Sequence, residues 1–145
     1  MIALIQRVRE AQVAIDGATV AAIGRGVLAL IGVRPEDDEA AALRLLDRLL
    51  KYRIFADDVD KMNLSLQQIA GDLLLVPQFT LAADTRHGLR PGFSTAAPPD
   101  QGRRLFTLLT DTAKSRHTPV ACGVFGADMQ VSLTNDGPVT FWLES

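Results

Sequence analysis

The 145-residue chain is poor in side chains that could serve as nucleophile, general acid or general base. Ser65, Thr80 and Ser94 carry hydroxyl groups and His87 is a candidate base, but no nucleophile elbow or recognisable spacing links them. A lone histidine in a polar loop is more typical of a solvated side chain. The aspartates of the 57–60 turn lie in a polar stretch, without the burial that would raise a carboxyl pKa. Side-chain chemistry of the usual kinds is therefore not indicated.

Main-chain groups are better placed for chemistry. Three short segments combine glycine or the end of a predicted strand with neighbouring apolar residues: Gln78-Phe79-Thr80, Phe125-Gly126-Ala127 and Gly137-Pro138. Backbone groups at such places can form an oxyanion hole, which stabilises negative charge on a reacting carbonyl, or a rigid wall that reads stereochemistry. These segments are the candidate site.

The stretch Thr134–Thr140 lies between two runs of alternating apolar residues, 130–133 and 139–143, each of which predicts a strand. Pro138 has no backbone N–H, so it is expected at the beginning or the edge of a strand, and Gly137 allows another surface to approach closely. An X-Pro bond here can be cis, which would orient two neighbouring carbonyl groups alike. Turn chemistry alone favours a plain Asn-Asp-Gly-Pro hairpin turn.

The elements that must position these segments follow from the apolar pattern. Strands are predicted over 2–15, 19–23, 27–33, 52–55, 62–66, 73–81 and 120–129, with 27–33 central because it is apolar on both faces. One helix is predicted from Arg34 onward, with Leu43, Leu46, Leu49 and Leu50 on its buried face, and a second over about residues 100–115. The breaker-rich segment 82–99 is typical of a functional loop. The order predicts an α+β fold in which two helices cover an antiparallel or mixed sheet.

Composition narrows the class of protein. With 48% hydrophobic and 22% charged residues, the chain can bury a core and is most simply one domain, 1–145. Its net charge of −2 gives no general attraction for nucleic acid, so any such partner must be held locally. The single Cys122 excludes an intramolecular disulfide, and with only His87 and His117 beside it a zinc site is not expected. No signal peptide or bilayer-length apolar stretch is present, so a soluble cytoplasmic protein without membrane contact is predicted.

Two motifs resemble those of a known family. Residues 77–81, Pro-Gln-Phe-Thr-Leu, are similar to the Ser-Gln-Phe-Thr-Leu motif of the D-aminoacyl-tRNA deacylases, and residues 135–140, Asn-Asp-Gly-Pro-Val-Thr, are similar to their Asn-x-Gly-Pro-Val-Thr motif. Both occur in the family's order and separation, and further matches run through the chain at 6–8, 61–65, 83–85, 88, 90–91, 96–99 and 123–129. Pro77 departs from the family, which usually has serine there, so no role of that serine is carried over.

The resemblance implies a barrel-like α+β fold and a homodimeric esterase, without metal or cofactor, that cleaves the bond between a D-amino acid and the terminal ribose of tRNA. In the family the Gly-Pro bond is cis and reaches into the partner subunit's site. The residues implied are Gln78, Phe79 and Thr80 for catalysis, Gly137, Pro138 and Met129 for selection of the stereocentre, and Phe125, Gly126, Ala127 and Arg7 for the adenine and the tRNA end.

Two mechanisms remain open. In one, a free ribose hydroxyl beside the ester activates water while backbone donors stabilise the oxyanion; in the other, Thr80 is the nucleophile. Rigid walls at Gly137 and Pro138 would exclude L side chains, accept varied D side chains and leave achiral glycyl-tRNA(Ala) cleavable. The alternatives are a non-catalytic module that binds the tRNA end and a purely structural dimerisation domain. Candidate basic contacts to tRNA are Arg7, Arg9, Lys51, Arg53, Arg86 and Arg90.

Overall fold

Eight strands and two α-helices form the chain, and the computed structural model describes all residues, Met1–Ser145. The strands are β1 (Ile2–Ile15), β2 (Ala18–Ile23), β3 (Gly26–Gly32), β4 (Arg53–Ala56), β5 (Met62–Ser65), β6 (Asp72–Pro77), β7 (Val120–Cys122) and β8 (Gln130–Glu144). The helices are α1 (Glu39–Lys51) and α2 (Pro99–Arg116), with a short 3₁₀ helix at Phe79–Ala82. Strands β4 and β5 form a separate two-stranded sheet.

The long strand β1 organises the main sheet. Strand β8 pairs with β1 along almost its whole length, while the opposite edge of β1 pairs first with β3 and then with β2, all antiparallel. Strands β3, β6 and β7 then run parallel to one another. The sheet is therefore mixed and barrel-like, as predicted from the sequence, and the parallel strands end at one common edge.

Alternating residues of the central strands lie in two separate apolar cores, one on each side of the sheet. Val27, Ala29 and Ile31 of β3 pack with both helices in the larger core, while Leu28 faces the smaller core on the other side of the sheet. In α1, Leu45, Leu46, Leu49 and Leu50 are buried, each contributing about 1.5–3 kcal/mol relative to exposure. Neither helix combines the length and the apolar character needed to cross a bilayer.

Several predicted boundaries were wrong. The first helix begins only at Glu39, because Asp38 caps it by accepting a hydrogen bond from the Ala41 N–H, and Leu43 on its outer face is 40% exposed. The strand predicted over 73–81 ends at Pro77, after which the chain turns into the 3₁₀ helix. The strand predicted over 120–129 ends at Cys122, since the following residues leave the ladder.

The C-terminal hairpin turn is also absent, since residues 130–144 form one strand, β8. Gln6 of β1 pairs with Thr140, and Val8 pairs with Asn135, so β1 advances by two residues while β8 advances by five. The extra residues bulge out of the ladder and contain the Gly-Pro pair. The segment is thus an insertion within a continuous strand, and not the connection between two strands.

Candidate active site

A cavity of about 490 Å³ lies where the parallel strands β3 and β6 end. Its size and mostly apolar wall suit a small-molecule moiety. Sixteen residues line it: Ile31, Val33, Val76, Pro77, Gln78, Phe79, Ala97, Pro99, Gly102, Phe106, Phe125, Gly126, Ala127, Asp128, Met129 and Val131. Six of the sequence-predicted site residues are therefore brought together, from segments that are far apart in the chain.

The first wall of the cavity is the turn that follows β6. The Gln78 N–H donates to the Ile31 carbonyl at 2.7 Å, which is the last bond of the ladder before the chain turns. The N–H groups of Phe79 and Thr80 open the 3₁₀ helix, and neither has a hydrogen-bond acceptor. Initial N–H groups of a helical turn have no partner within the turn. Two adjacent donors at the cavity edge are thus free to bind a developing oxyanion.

The Thr80 side chain has no activating base. The Gln78 Nε2 amide donates to Thr80 Oγ1, and neither a histidine nor a carboxylate is hydrogen-bonded to this hydroxyl. An amide donor fixes the hydroxyl oxygen as an acceptor but cannot remove its proton. The contact therefore positions Thr80 without making it a nucleophile.

The opposite wall is formed by the segment after β7. Met129 Sδ accepts a hydrogen bond from the Val124 N–H at 3.3 Å and lies against Gly123, where an added Cβ would approach it to 2.9 Å. The ring of Pro77 closes the same corner, with its Cδ 3.3 Å from that Cβ position. Pro77 thus replaces the family's serine by a rigid apolar surface beside Met129.

Phe125 is the main aromatic surface of this wall. Its ring packs on α2 at Gly102, where an added Cβ would lie 3.2 Å from the ring Cζ, and it meets Phe106 at a centroid distance of 6.3 Å. Gly102 therefore permits an approach of ring to helix that alanine would obstruct. An aromatic face held in this way is suited to stacking or edge contact with a nucleobase.

The Gly-Pro bulge is held by side chains from both strands. Asn135 Oδ1 accepts the Val139 N–H at 3.0 Å, and Asn135 Nδ2 donates to Thr140 Oγ1 at 2.9 Å, so this one amide spans the bulge. Gly137 has a φ of +136°, a region that strongly favours glycine, and its bond to Pro138 is cis, in agreement with the family resemblance. The motif residues flanking the pair are therefore structural supports.

Arg7 fixes the bulge from β1. Its Nε donates to the Asp136 carbonyl at 3.0 Å, its Nη1 donates to the Ile54 carbonyl at 2.8 Å, and Nε lies 3.4 Å from the Asp136 carboxylate. The side chain is only 16% exposed. These contacts indicate that Arg7 positions the bulge, while the tRNA contact predicted for it from the sequence stays a prediction.

The bulge and the cavity of the same chain are far apart. Gly137 and Pro138 do not line the cavity. The bulge lies opposite Val8 of β1, whereas Ile31, at the cavity, lies opposite Ala3. Five residues of strand separate these positions, which corresponds to about 17 Å. One chain alone does not bring the two motifs together.

Most of the predicted basic contacts are engaged within the chain. Arg7 and Arg9 meet Asp136, Lys51 meets Asp47, and Arg86 pairs with both oxygens of Asp84, while Arg53 and Arg90 have no ion pair. The Arg86 guanidinium holds the pKa of the Asp84 carboxyl well below its usual range. His87 is exposed, as a solvated loop histidine would be.

Sequence reasoning missed two side chains at the cavity rim. Phe93 packs against Phe79 in a tilted arrangement with centroids 5.1 Å apart, and both rings are about half exposed. Arg103 lies over the Phe125 ring, with Cζ 4.8 Å from its centroid. Phe93 was within the segment marked as a functional loop, whereas nothing in the sequence pattern distinguished Arg103 from other surface cations.

Comparison with known proteins finds similarity along almost the whole chain. The sequence model of the family described as "D-Tyr-tRNA(Tyr) deacylase" matches residues 4–144. The chain is 65% identical to the D-aminoacyl-tRNA deacylase of Thioalkalivibrio sulfidiphilus, covering 99% of this chain and 97% of that protein. It is 61% identical to the D-aminoacyl-tRNA deacylase of Azotobacter vinelandii over 100% of both chains.

Two solved structures are similar along the whole chain. The "c-Myc DNA Unwinding Element Binding Protein" superposes with a TM-score of 0.95 at 35% identity, covering 100% of this chain and 99% of that one. A structure titled as a probable eukaryotic D-amino acid tRNA deacylase gives a TM-score of 0.83 at 18% identity, covering 99% and 98%, and supports the fold alone.

Proposed function

The chain belongs to the D-Tyr-tRNA(Tyr) deacylase family and is a D-aminoacyl-tRNA deacylase, an ester hydrolase, and we propose that it works without a side-chain nucleophile. The observation that carries this proposal is the pair of free N–H groups on Phe79 and Thr80 at the edge of a cavity whose only charged lining residue is Asp128. The substrate is the 3′ end of a D-aminoacyl-tRNA, with no metal or cofactor taking part.

The ester carbonyl binds at the turn after β6. As water attacks the carbonyl carbon, the carbonyl oxygen gains negative charge, which the N–H groups of Phe79 and Thr80 stabilise. An ester is already activated, so positioning and oxyanion stabilisation leave only the deprotonation of water to be provided. The neighbouring 2′-hydroxyl of the ribose accepts a proton from the attacking water and passes its own proton to the departing 3′ oxygen. The C–O bond then breaks, releasing the free D-amino acid and tRNA with its ribose hydroxyl restored.

The absence of a base near Thr80 separates this mechanism from the Thr80-nucleophile alternative. Thr80→Ala keeps the backbone N–H, so it should keep D-Tyr-tRNA hydrolysis within about tenfold of the wild-type rate. A tRNA ending in 2′-deoxyadenosine, with the D-amino acid on its 3′ oxygen, should be hydrolysed far more slowly. A loss of roughly a thousandfold in Thr80→Ala would establish the nucleophile and refute the proposal.

Activity itself is tested with D-Tyr-tRNA and L-Tyr-tRNA in the presence of a metal chelator, following loss of the ester. Release of only the D-amino acid is expected. Binding of the tRNA end without turnover would instead support the non-catalytic binding module. Absence of both binding and turnover would support the purely structural dimerisation domain. If no ester is cleaved, the variant Pro77→Ser tests whether the family's serine restores activity.

Chirality is selected by the backbone at Gly137 and Pro138, with Met129 on the cavity wall. A main-chain wall cannot rotate away, so it excludes an L side chain and leaves a D side chain free to point outward. Glycine presents no side chain to exclude, and glycyl-tRNA(Ala) is expected to be cleaved. Inert glycyl-tRNA(Ala), under conditions where D-Tyr-tRNA is hydrolysed, would require a side-chain pocket and refute selection by exclusion.

The wall must come from a second copy of the chain. The bulge lies about 17 Å along β1 from its own cavity, and β8, which carries it, has a single buried residue, Leu143. A homodimer with two-fold symmetry would place each bulge at the partner's cavity. Equilibrium sedimentation should give twice the mass of the chain at micromolar concentration.

Cross-subunit selection has its own test, provided that Gly137→Ala alone admits L-Tyr-tRNA. A heterodimer combines wild-type chain with a double variant that carries both Gln78→Ala, which impairs its own cavity, and Gly137→Ala. If the bulge acts on the partner, the intact cavity faces the altered bulge, and L-Tyr-tRNA is hydrolysed. If the bulge acts within its own chain, the heterodimer continues to reject it.

The adenine is proposed to contact Phe125, Gly126 and Ala127. The aromatic ring provides a flat surface, and the backbone of Gly126, which has a φ of +82°, is open to the cavity. We further propose that residues 1–145 form one domain and that the enzyme acts in the cytoplasm, where aminoacyl-tRNA is used.

A further inference from the structure

The cavity that would receive the end of a tRNA contains no positive charge. None of its sixteen lining residues is lysine or arginine, and Asp128 adds a negative one. The chain as a whole carries a net charge of −2. A phosphodiester that enters with the terminal nucleoside must therefore be neutralised by a cation at the rim.

Arg103 has the position that this requires. Its Cζ lies over the Phe125 ring at 4.8 Å from the centroid, and its Nη2 lies 3.8 Å from the site of an added Cβ on Gly126. It thus borders two residues of the cavity wall. A cation–π contact to the ring uses none of the N–H donors of the guanidinium, so they remain available to a phosphate.

The charge of Arg103 is not compensated. Arg104, the next residue, pairs with Glu39 at 2.7 Å, whereas Arg103 has neither an ion pair nor a hydrogen-bond partner and is exposed. Seven of the fifteen lysines and arginines are similarly occupied by carboxylates. Arg103 therefore combines an aromatic contact at the cavity with unused hydrogen-bond donors.

We propose that Arg103 binds the phosphodiester on the 5′ side of the terminal adenosine of the tRNA. The inference rests on the proposed function, because it requires the adenine to lie against Phe125. The fork of N–H groups matches two phosphate oxygens, and the contact with the Phe125 ring holds the fork at the rim. Arg103 thus recognises that the nucleoside belongs to a polynucleotide, while the cavity recognises the nucleoside itself.

Adenosine and adenosine 5′-monophosphate isolate this contact, because they differ only in the phosphate. Their affinities can be measured by NMR titration of the wild-type protein, Arg103→Gln and Arg44→Gln. Arg44 is the matched control, since it is also exposed and without an ion pair but lies on α1 and does not line the cavity. The nucleotide should bind about fivefold more tightly than the nucleoside to wild type and Arg44→Gln, and about equally to Arg103→Gln.

A role of Arg103 in supporting Phe125 alone would weaken both ligands equally and preserve their ratio, which would overturn the proposal. Equal affinity of both ligands for the wild-type protein would also overturn it. Hydrolysis of D-Tyr-tRNA is measured separately. Turnover by wild type together with an unchanged ratio in Arg103→Gln refutes only the phosphate contact, whereas absence of wild-type turnover refutes the proposed function.

Discussion

Replacing Gly137 by alanine tests the stereochemical wall most directly. At a φ of +136° an L side chain is strained, at a cost of about 1–3 kcal/mol. The added Cβ would also lie 2.7 Å from Val139 Cγ2, 3.0 Å from the Val139 nitrogen and 3.2 Å from Arg7 Nη2. The 2.7 Å contact is too short to persist, and the 3.0 Å contact requires the Val139 backbone to give by a few tenths of an ångström, so we expect the bulge to shift.

Movement of the bulge also disturbs Arg7. Its guanidinium donates to the carbonyls of Asp136 and Ile54, and losing one charge-assisted hydrogen bond costs about 1.5–3 kcal/mol. Together with the backbone strain, we expect Gly137→Ala to lower the free energy of unfolding by about 2.5–6 kcal/mol. The preference for D-Tyr-tRNA over L-Tyr-tRNA should fall at least about tenfold, because 1.4 kcal/mol of lost steric exclusion is a factor of ten.

The assay measures hydrolysis of both esters, together with urea unfolding. The matched control is Gly17→Ala in the β1–β2 turn, where φ is +78° and no atom lies within 4 Å of the added Cβ. This control should lose about 1–2 kcal/mol of stability and keep its stereochemical preference. If folded Gly137→Ala rejected L-Tyr-tRNA as strictly as wild type does, selection by this backbone would be refuted.

Three further predictions concern other parts of the molecule. Gly102→Ala should raise the KM for D-Tyr-tRNA, because the added Cβ would lie 3.2 Å from the Phe125 Cζ and displace the ring. The melting temperature should not fall, since alanine favours a helix over glycine by about 1 kcal/mol. An unchanged KM would argue against adenine binding at this ring. Burial raises the pKa of the Cys122 thiol, so its alkylation by iodoacetamide at about pH 7.5 should be slower in the folded than in the unfolded chain. The rate in the folded chain should increase with rising pH. Equal alkylation rates of the folded and unfolded chains would contradict this prediction. Arg86 lowers the pKa of Asp84 in the folded state, so the ionised carboxylate adds to the free energy of unfolding above about pH 4. This contribution is lost as the pH falls through the folded-state pKa. The difference in free energy of unfolding between wild type and Asp84→Asn should therefore shrink in acid, which urea unfolding at several pH values measures.

The fold class was predictable because apolar periodicity reports which faces are buried. The run 27–33 is apolar at every side-chain position, and it became the central strand β3 with cores on both sides. Boundaries were less predictable, since they depend on individual hydrogen bonds. The Asp38 cap delays α1, and the bond from the Gln78 N–H to Ile31 is the last one before the chain leaves the ladder.

The Gly-Pro segment shows the same limit. From sequence, Asn-Asp-Gly-Pro between two apolar runs is most simply a hairpin turn. Whether it connects two strands or bulges from one depends on the register of β8 against β1, a long-range property that no local pattern contains. The partners of Arg7, which are the carbonyls of Asp136 and Ile54, likewise become visible only after distant segments come together.

Residue type and order by themselves determined the class of fold, the two motifs and the scarcity of catalytic side chains. The resemblance of these motifs to the deacylases, which the family comparison confirmed, identified the reaction. Tertiary structure alone decided that Phe79 and Thr80 have unpaired N–H groups, that Phe125 packs on Gly102 beneath Arg103, and that the bulge lies away from its own cavity. The physical reason is that strand register, close packing and the absence of a hydrogen-bond partner depend on how distant segments are placed relative to one another. The chain acquires these relations only when it folds.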